Sequence, residues 1–216
     1  MKTSLRFRNR SARARSQALL EALEDRTLFS VFTVTNTLDN GSVGSLPWAV
    51  TQANANPGAN TINFSPTAFK THQTITLVSG FLTLSNTSGP TTITGPKAGL
   101  TLSGADTTWQ FTVNANVTAS VSGVTMTDGY AGYQGVGGAI AVYPAGTLSL
   151  SQCTVSNCYG QAGGGGIFNE GNLTLNDCSI TGNSTGNYGE GGGIESFFGT
   201  VSVTSPKRFP TPAPSP

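Results

Sequence analysis

An all-β solenoid is the fold class this sequence predicts, and three observations carry that reading. The first is composition: of 216 residues, 28 are glycine, 31 are threonine and only 10% are charged. Average soluble proteins hold roughly 7% glycine and about 25% charged residues, and Gly, Thr, Ser and Asn are all poor helix formers. The second is a repeat. Gly137-Gly138-Ala139-Ile140, Gly164-Gly165-Gly166-Ile167 and Gly191-Gly192-Gly193-Ile194 follow one another at intervals of 27 residues. The third is that the segments between these runs alternate apolar with Ser, Thr or Asn, the period-two pattern of a half-buried strand. A fixed period of this size, carried by short strands, defines a solenoid. The net charge of +1 argues against charge-driven disorder, and no run of about 18 apolar residues offers a membrane-spanning helix.

Residues 1–30 read as a basic targeting leader. Lys2, Arg6, Arg8, Arg10, Arg13 and Arg15 occur in the first 20 positions without an acidic residue. Leu19, Leu20 and Leu23 then share one face of a short amphipathic helix. An ordinary secretory signal is excluded, because the 7–15-residue apolar core is missing. Leu20, Glu21, Leu23, Glu24, Arg26, Leu28 and Ser30 resemble the LExLExRxLLS leader of planctomycete surface and exported proteins, with Phe29 in place of a leucine. That resemblance implies export, with an extracellular, cell-surface or outer-membrane location. From Thr27 to Ser205 the only basic side chains are Lys70 and Lys97, plus the single His72. Seven acids leave this body at −5. Without a basic patch it is no partner for nucleic acid.

Residues 31–79 read as an N-terminal capping segment. Val31–Thr37 alternates as a strand, and Asp39-Asn40-Gly41 marks a turn. Ser45 serves as N-cap of a short helix over Ser45–Asn54, where Pro47 is tolerated in the first turn. Leu46, Ala49, Val50 and Ala53 line one helical face, Pro57-Gly58 stops the helix, and Thr61–Phe64 begins a strand. The segment resembles the CSLREA-type cap of bacterial right-handed β-helices at Val34–Thr37, Asp39, Gly44-Ser45-Leu46, Ala49, Ala53-Asn54-Ala55, Pro57-Gly58 and Thr61–Phe64. Pro47 and Asn60 replace the arginine and aspartate of that pattern, so a salt bridge between those positions is absent. The resemblance implies a cover over the end of a stacked sheet, which would otherwise recruit other strands.

Residues 80–205 supply the coils. Phe81–Leu84, Thr91–Gly95 and Gly99–Leu102 make most of one. Gln110–Val113, Ala119–Val121 and Gly123–Gly129 make the next. In the repeats proper, Leu148, Leu150, Cys153 and Val155 point inward, and Leu173, Leu175, Cys178 and Ile180 stack on them. About five triangular coils at ~4.8 Å give a stub some 20–25 Å long. The whole of 31–205 resembles the right-handed parallel β-helices of pectin-lyase-like and polymorphic-outer-membrane-protein type. The F-x-x-N motif of the latter is not matched, since Gly171 follows Phe168 at that spacing. Cys153 and Cys178 come within the ~5 Å Cα separation a disulfide allows, but parallel Cβ vectors favour stacked thiols; Cys158 has no equivalent partner.

Residues 206–216 form a Pro-rich tail holding five of the eleven prolines. It reads as a linker or, better, as a truncated or frame-shifted gene end, because solenoids need a terminal cap. Either way the last strand leaves Val201 and Val203 on an open edge, which predicts self-association through the C-terminal end.

The chemistry points away from catalysis. A lyase needs a base beside a uronate, often with calcium-holding carboxylates, and Lys70 and Lys97 have no acidic cluster to accompany them. A glycosidase needs two carboxylates ~5–9.5 Å apart; Glu170, Glu190 and Glu195 read as solvated loop carboxylates. His72 is alone, the glycine runs lack the Gly-Lys-Ser/Thr ending of a phosphate loop, and no calcium nonapeptide occurs. The Asn-x-Ser/Thr triplets at Asn86, Asn116, Asn172 and Asn183 arise by chance in so Asn- and Thr-rich a chain. No catalytic, cofactor or metal residue is therefore assigned. Two functions remain: a non-enzymatic secreted or cell-surface scaffold, adhesin or envelope component that meets a cell-envelope or polysaccharide surface, and a carbohydrate-active β-helix related to lyases or glycoside hydrolases.

Overall fold

The computed structural model describes residues 29–132 and 135–204; the leader through residue 28 and the Pro-rich tail lie outside them. Strand β1 (Ser30–Val34) and helix α1 (Leu46–Ala55) precede the first turn, which is β2 (Asn60–Phe64), β3 (Gln73–Thr76) and β4 (Leu82–Leu84). The second is β5 (Thr91–Thr94), β6 (Leu100–Ser103) and β7 (Phe111–Val113). A fourth short strand enters the third turn, β8 (Thr118–Ser122), β9 (Thr125–Thr127), β10 (Tyr130–Ala131) and β11 (Ile140–Val142). It recurs in β12 (Thr147–Ser151), β13 (Thr154–Ser156), β14 (Tyr159–Gly160) and β15 (Ile167–Asn169), and in β16 (Asn172–Asn176), β17 (Ser179–Thr181), β18 (Ser184–Thr185) and β19 (Ile194–Ser196). β20 (Thr200–Thr204) opens a sixth turn.

The strands stack into parallel sheets: A (β1-β2-β5-β8-β12-β16-β20), B (β3-β6-β9-β13-β17), C (β4-β7-β11-β15-β19) and the short D (β10-β14-β18). The result is a β-solenoid of about six turns. That is one more than the five read from the sequence, because β2 and β3 of the first turn fall within the stretch assigned there to the capping segment. Columns of like residues fill the interior. Ile62, Ile93, Val121, Leu150, Leu175 and Val203 occupy one register position of sheet A, and all but Val203 are buried. Val203 and Val201 on the last described strand are 68% and 40% exposed.

Two of the corners repeat a backbone conformation from turn to turn. Gly123, Gln152 and Asp177 hold left-handed φ of 65°, 52° and 52° between sheets A and B, and Asp128, Asn157 and Gly182 repeat this at the far edge of B. Asn and Asp tolerate that region because their short side chains bond locally. At the D–C corner the glycine runs lie rung on rung, with Gly165 N–H donating to Gly191 O at 2.8 Å. A Cβ on Gly138 would stand 2.1 Å from Gly165 O, so only glycine fits this backbone stack.

α1 covers the first turn. Ser45 caps it, its hydroxyl accepting from Trp48 N–H at 3.3 Å, while Leu46, Ala49, Val50 and Ala53 are buried. Asn54 pins the helix to the chain around β4, donating to Thr83 O at 2.6 Å and accepting from Ser85 N–H at 2.9 Å. Asn60 donates to Ala53, Asn56 and Gly58 carbonyls at 3.0–3.1 Å, satisfying acceptors that a helix end leaves open. An aspartate could not donate these bonds, which explains asparagine at this position. Asp39 fastens the remaining loop by accepting from Val78 and Ser79 N–H, both at 2.6 Å.

Candidate functional surface

The residues with chemical potential are dispersed or engaged. Lys70 and Lys97, three residues before the paired Gln73 and Leu100, meet at stacked corners between sheets A and B. With Phe64, Pro66, Phe69 and Pro96 they line a shallow cleft of about 530 Å³. No carboxylate lines it. His72, close by in sequence, is instead held to Thr101 Oγ1 at 2.9 Å and lies over Gly99. Glu195 is half-buried, and its Oε2 accepts from Glu190 N–H (2.9 Å), Gly164 N–H (3.1 Å) and Gly191 N–H (3.4 Å). It staples two glycine runs together. Among the described residues no group of three or more His, Cys, Asp or Glu could hold a metal ion.

The thiols are likewise structural. Cys153, Cys158 and Cys178 are all free. Burial raises the Cys153 pKa and pushes that of Cys158 up to about 11, which keeps both protonated and poor nucleophiles. Cys158 Sγ accepts from Gly129 N–H at 3.3 Å and donates to Ser156 O at 3.1 Å. Of the glycosylation-type asparagines, Asn86 is buried and bonded to Gly58 O. Asn183 bridges Cys158 N–H and Val155 O, and Asn172 accepts from Thr200 Oγ1. Asn116 is exposed with φ 62°.

What the turns assemble instead is surface. Aromatic rings pair along the B–C corner, Phe81 on Trp109 at 4.0 Å and Tyr130 on Tyr159 at 5.5 Å, both stacked. Each ring gives one face to its partner, while Phe81 and Tyr130 remain 42% and 37% exposed. The outward positions of sheet A form a row of Thr61, Thr92, Ser120, Ser149, Thr174 and Ser202, linked in part by Ser120 Oγ donating to Thr92 Oγ1 at 3.1 Å. Sheet B is more uniform. One outward row is Thr74, Thr101, Thr125, Thr154 and Ser179, and the other is Thr76, Ser103, Thr127, Ser156 and Thr181. All ten positions are hydroxyls. On sheet C the corresponding positions are the mixed set Thr83, Thr112, Ala141, Phe168 and Glu195, and Thr112, Ala141 and Phe168 are buried, so that sheet displays no comparable hydroxyl row.

The sequence reading missed both rows, because they become visible only once the register is known. Comparison with known proteins adds no assignment: no protein-family model, curated protein or solved structure matches the chain.

Proposed function

We propose that the protein is a non-enzymatic secreted or cell-surface β-helix, serving as a scaffold, adhesin or envelope component. The observation that supports this most is the uncharged hydroxyl surface of sheets A and B, which offers an extended contact area and no reacting group. Catalysis by a glycosidase route requires two carboxylates converging on one bond, whereas the Glu195 carboxylate is committed to three backbone N–H groups. The basic leader, with its likeness to planctomycete export leaders, and the likeness of 31–64 to the CSLREA-type cap support an external location. The test is to fuse residues 1–30 to a reporter in cells of a planctomycete. Export of the reporter is the expected result, and retention in the cytoplasm contradicts the reading.

A further inference from the structure

We infer that the outer face of sheet B is a docking face for an extended, electrically neutral polysaccharide. The inference deepens the surface-protein reading above and rests on it. Ten outward positions over five turns carry only Thr or Ser, seven of them threonine. Rungs follow at ~4.8 Å along the solenoid and the two rows are ~6.6 Å apart along the strands, so the array spans about 19 Å. Threonine presents a methyl group beside its hydroxyl, and β-branching holds χ1 stiff on a strand. The face is therefore an ordered lattice of alternating C–H and O–H groups, and little side-chain freedom is lost when something docks on it.

Several hydroxyls of the second row already have protein partners. Ser103 and Thr127 donate to the Asp128 carboxylate at 3.3 and 3.1 Å, and Ser156 donates to Thr127 at 3.4 Å. In the first row only Thr101 is engaged among the described residues, by His72. Thr74, Thr125, Thr154 and Ser179 keep their hydroxyls for a partner. That partner must match a surface with no charge in either row, on a body of −5. A polyanion is repelled by that body, and the one carboxylate bonded to the rows, Asp128 at the edge of the second, already accepts from Ser103 and Thr127 and gives a polycation a single anchor in an otherwise uncharged face. A neutral sugar chain offers C–H faces and hydroxyls repeated along a line, the same two chemistries in the same sort of order.

The experiment is co-sedimentation of the full chain with insoluble cellulose, chitin and mannan at 0.15 M and 1 M NaCl. Saturable binding to at least one of them, changed less than twofold by salt, is expected, because no ion pair is involved. Thr125→Lys with Thr154→Lys places two charges in the first row and should weaken that binding at least tenfold. The paired variant Ser120→Lys with Ser149→Lys, on sheet A, should keep it. Circular dichroism and gel filtration of each variant separate misfolding from lost binding, and Thr125→Val with Thr154→Val gives a second, charge-free variant expected to weaken binding by severalfold. No sedimentation with any of the three polymers overturns the inference, as does binding indifferent to the sheet B changes. Dimerisation abolished by the same changes would assign the face to a second copy and overturn it too. If the protein is on the cell surface yet fails these assays, only this inference falls; if it is cytoplasmic, the reading beneath it falls.

Discussion

Cys158 shows how the solenoid interior treats a titratable side chain. It stands 1% exposed in a column that continues as Asn183 in the next turn, and desolvation lifts its pKa from 9.0 to about 11. Between those values the unfolded chain has released a proton that the folded protein still holds. Stability contributed by the neutral thiol is thus complete below pH 9 and lost as pH rises toward 11, by up to about 2 kcal/mol. Thermal melts of wild type and Cys158→Ala across pH 8–11 should show the wild-type advantage shrinking over this window. A constant difference between the two curves would mean the thiol is not desolvated. Asn60 makes the converse point: a neutral amide, 2% exposed, serves three carbonyls.

At the scale of elements, legibility followed from how many inward residues each one carries. α1 was readable because a cap, an early proline and four apolar residues agree; the helix runs Leu46–Ala55 against an expectation of Ser45–Asn54. β3 was not read, since Ile75 is its only fully buried residue, and one residue has no period. β10, β14 and β18 have two residues each and left no pattern. The hydroxyl rows escaped for a different reason. From Thr74 the successive steps to Thr101, Thr125, Thr154 and Ser179 are 27, 24, 29 and 25 residues, because corners vary in length. A fixed repeat cannot align them, whereas Lys70 and Lys97 fall on the 27-residue interval. For the capping element the account predicts that Asn60→Asp removes the two amide N–H donors that three carbonyls share and points a carboxylate at carbonyl oxygens. A loss of about 2–4 kcal/mol is expected, lowering Tm by roughly 5–15 °C for a chain of this size. Calorimetry showing less than one degree would mean that the helix end does not depend on this amide.

The whole molecule separates its tasks by direction. Apolar columns run down the inside, glycine stacks turn the D–C corner, a helix closes the first turn, and uncharged hydroxyl faces look outward from A and B. Low charge fits a surface whose contacts are made by shape and hydrogen bonds rather than by steering over a Debye length. The central claim is that this face is displayed outside the cell, and labelling on intact cells tests both halves together. Thr125→Cys, placed in the full chain with Cys178→Ser, gives one half-exposed thiol on the outer face of sheet B, while Cys153 and Cys158 stay buried. Cells of the source organism making this variant are treated with a membrane-impermeant maleimide. The account predicts labelling of Cys at position 125 before lysis, to the extent reached after it. Labelling that appears only when the cells are broken would contradict it.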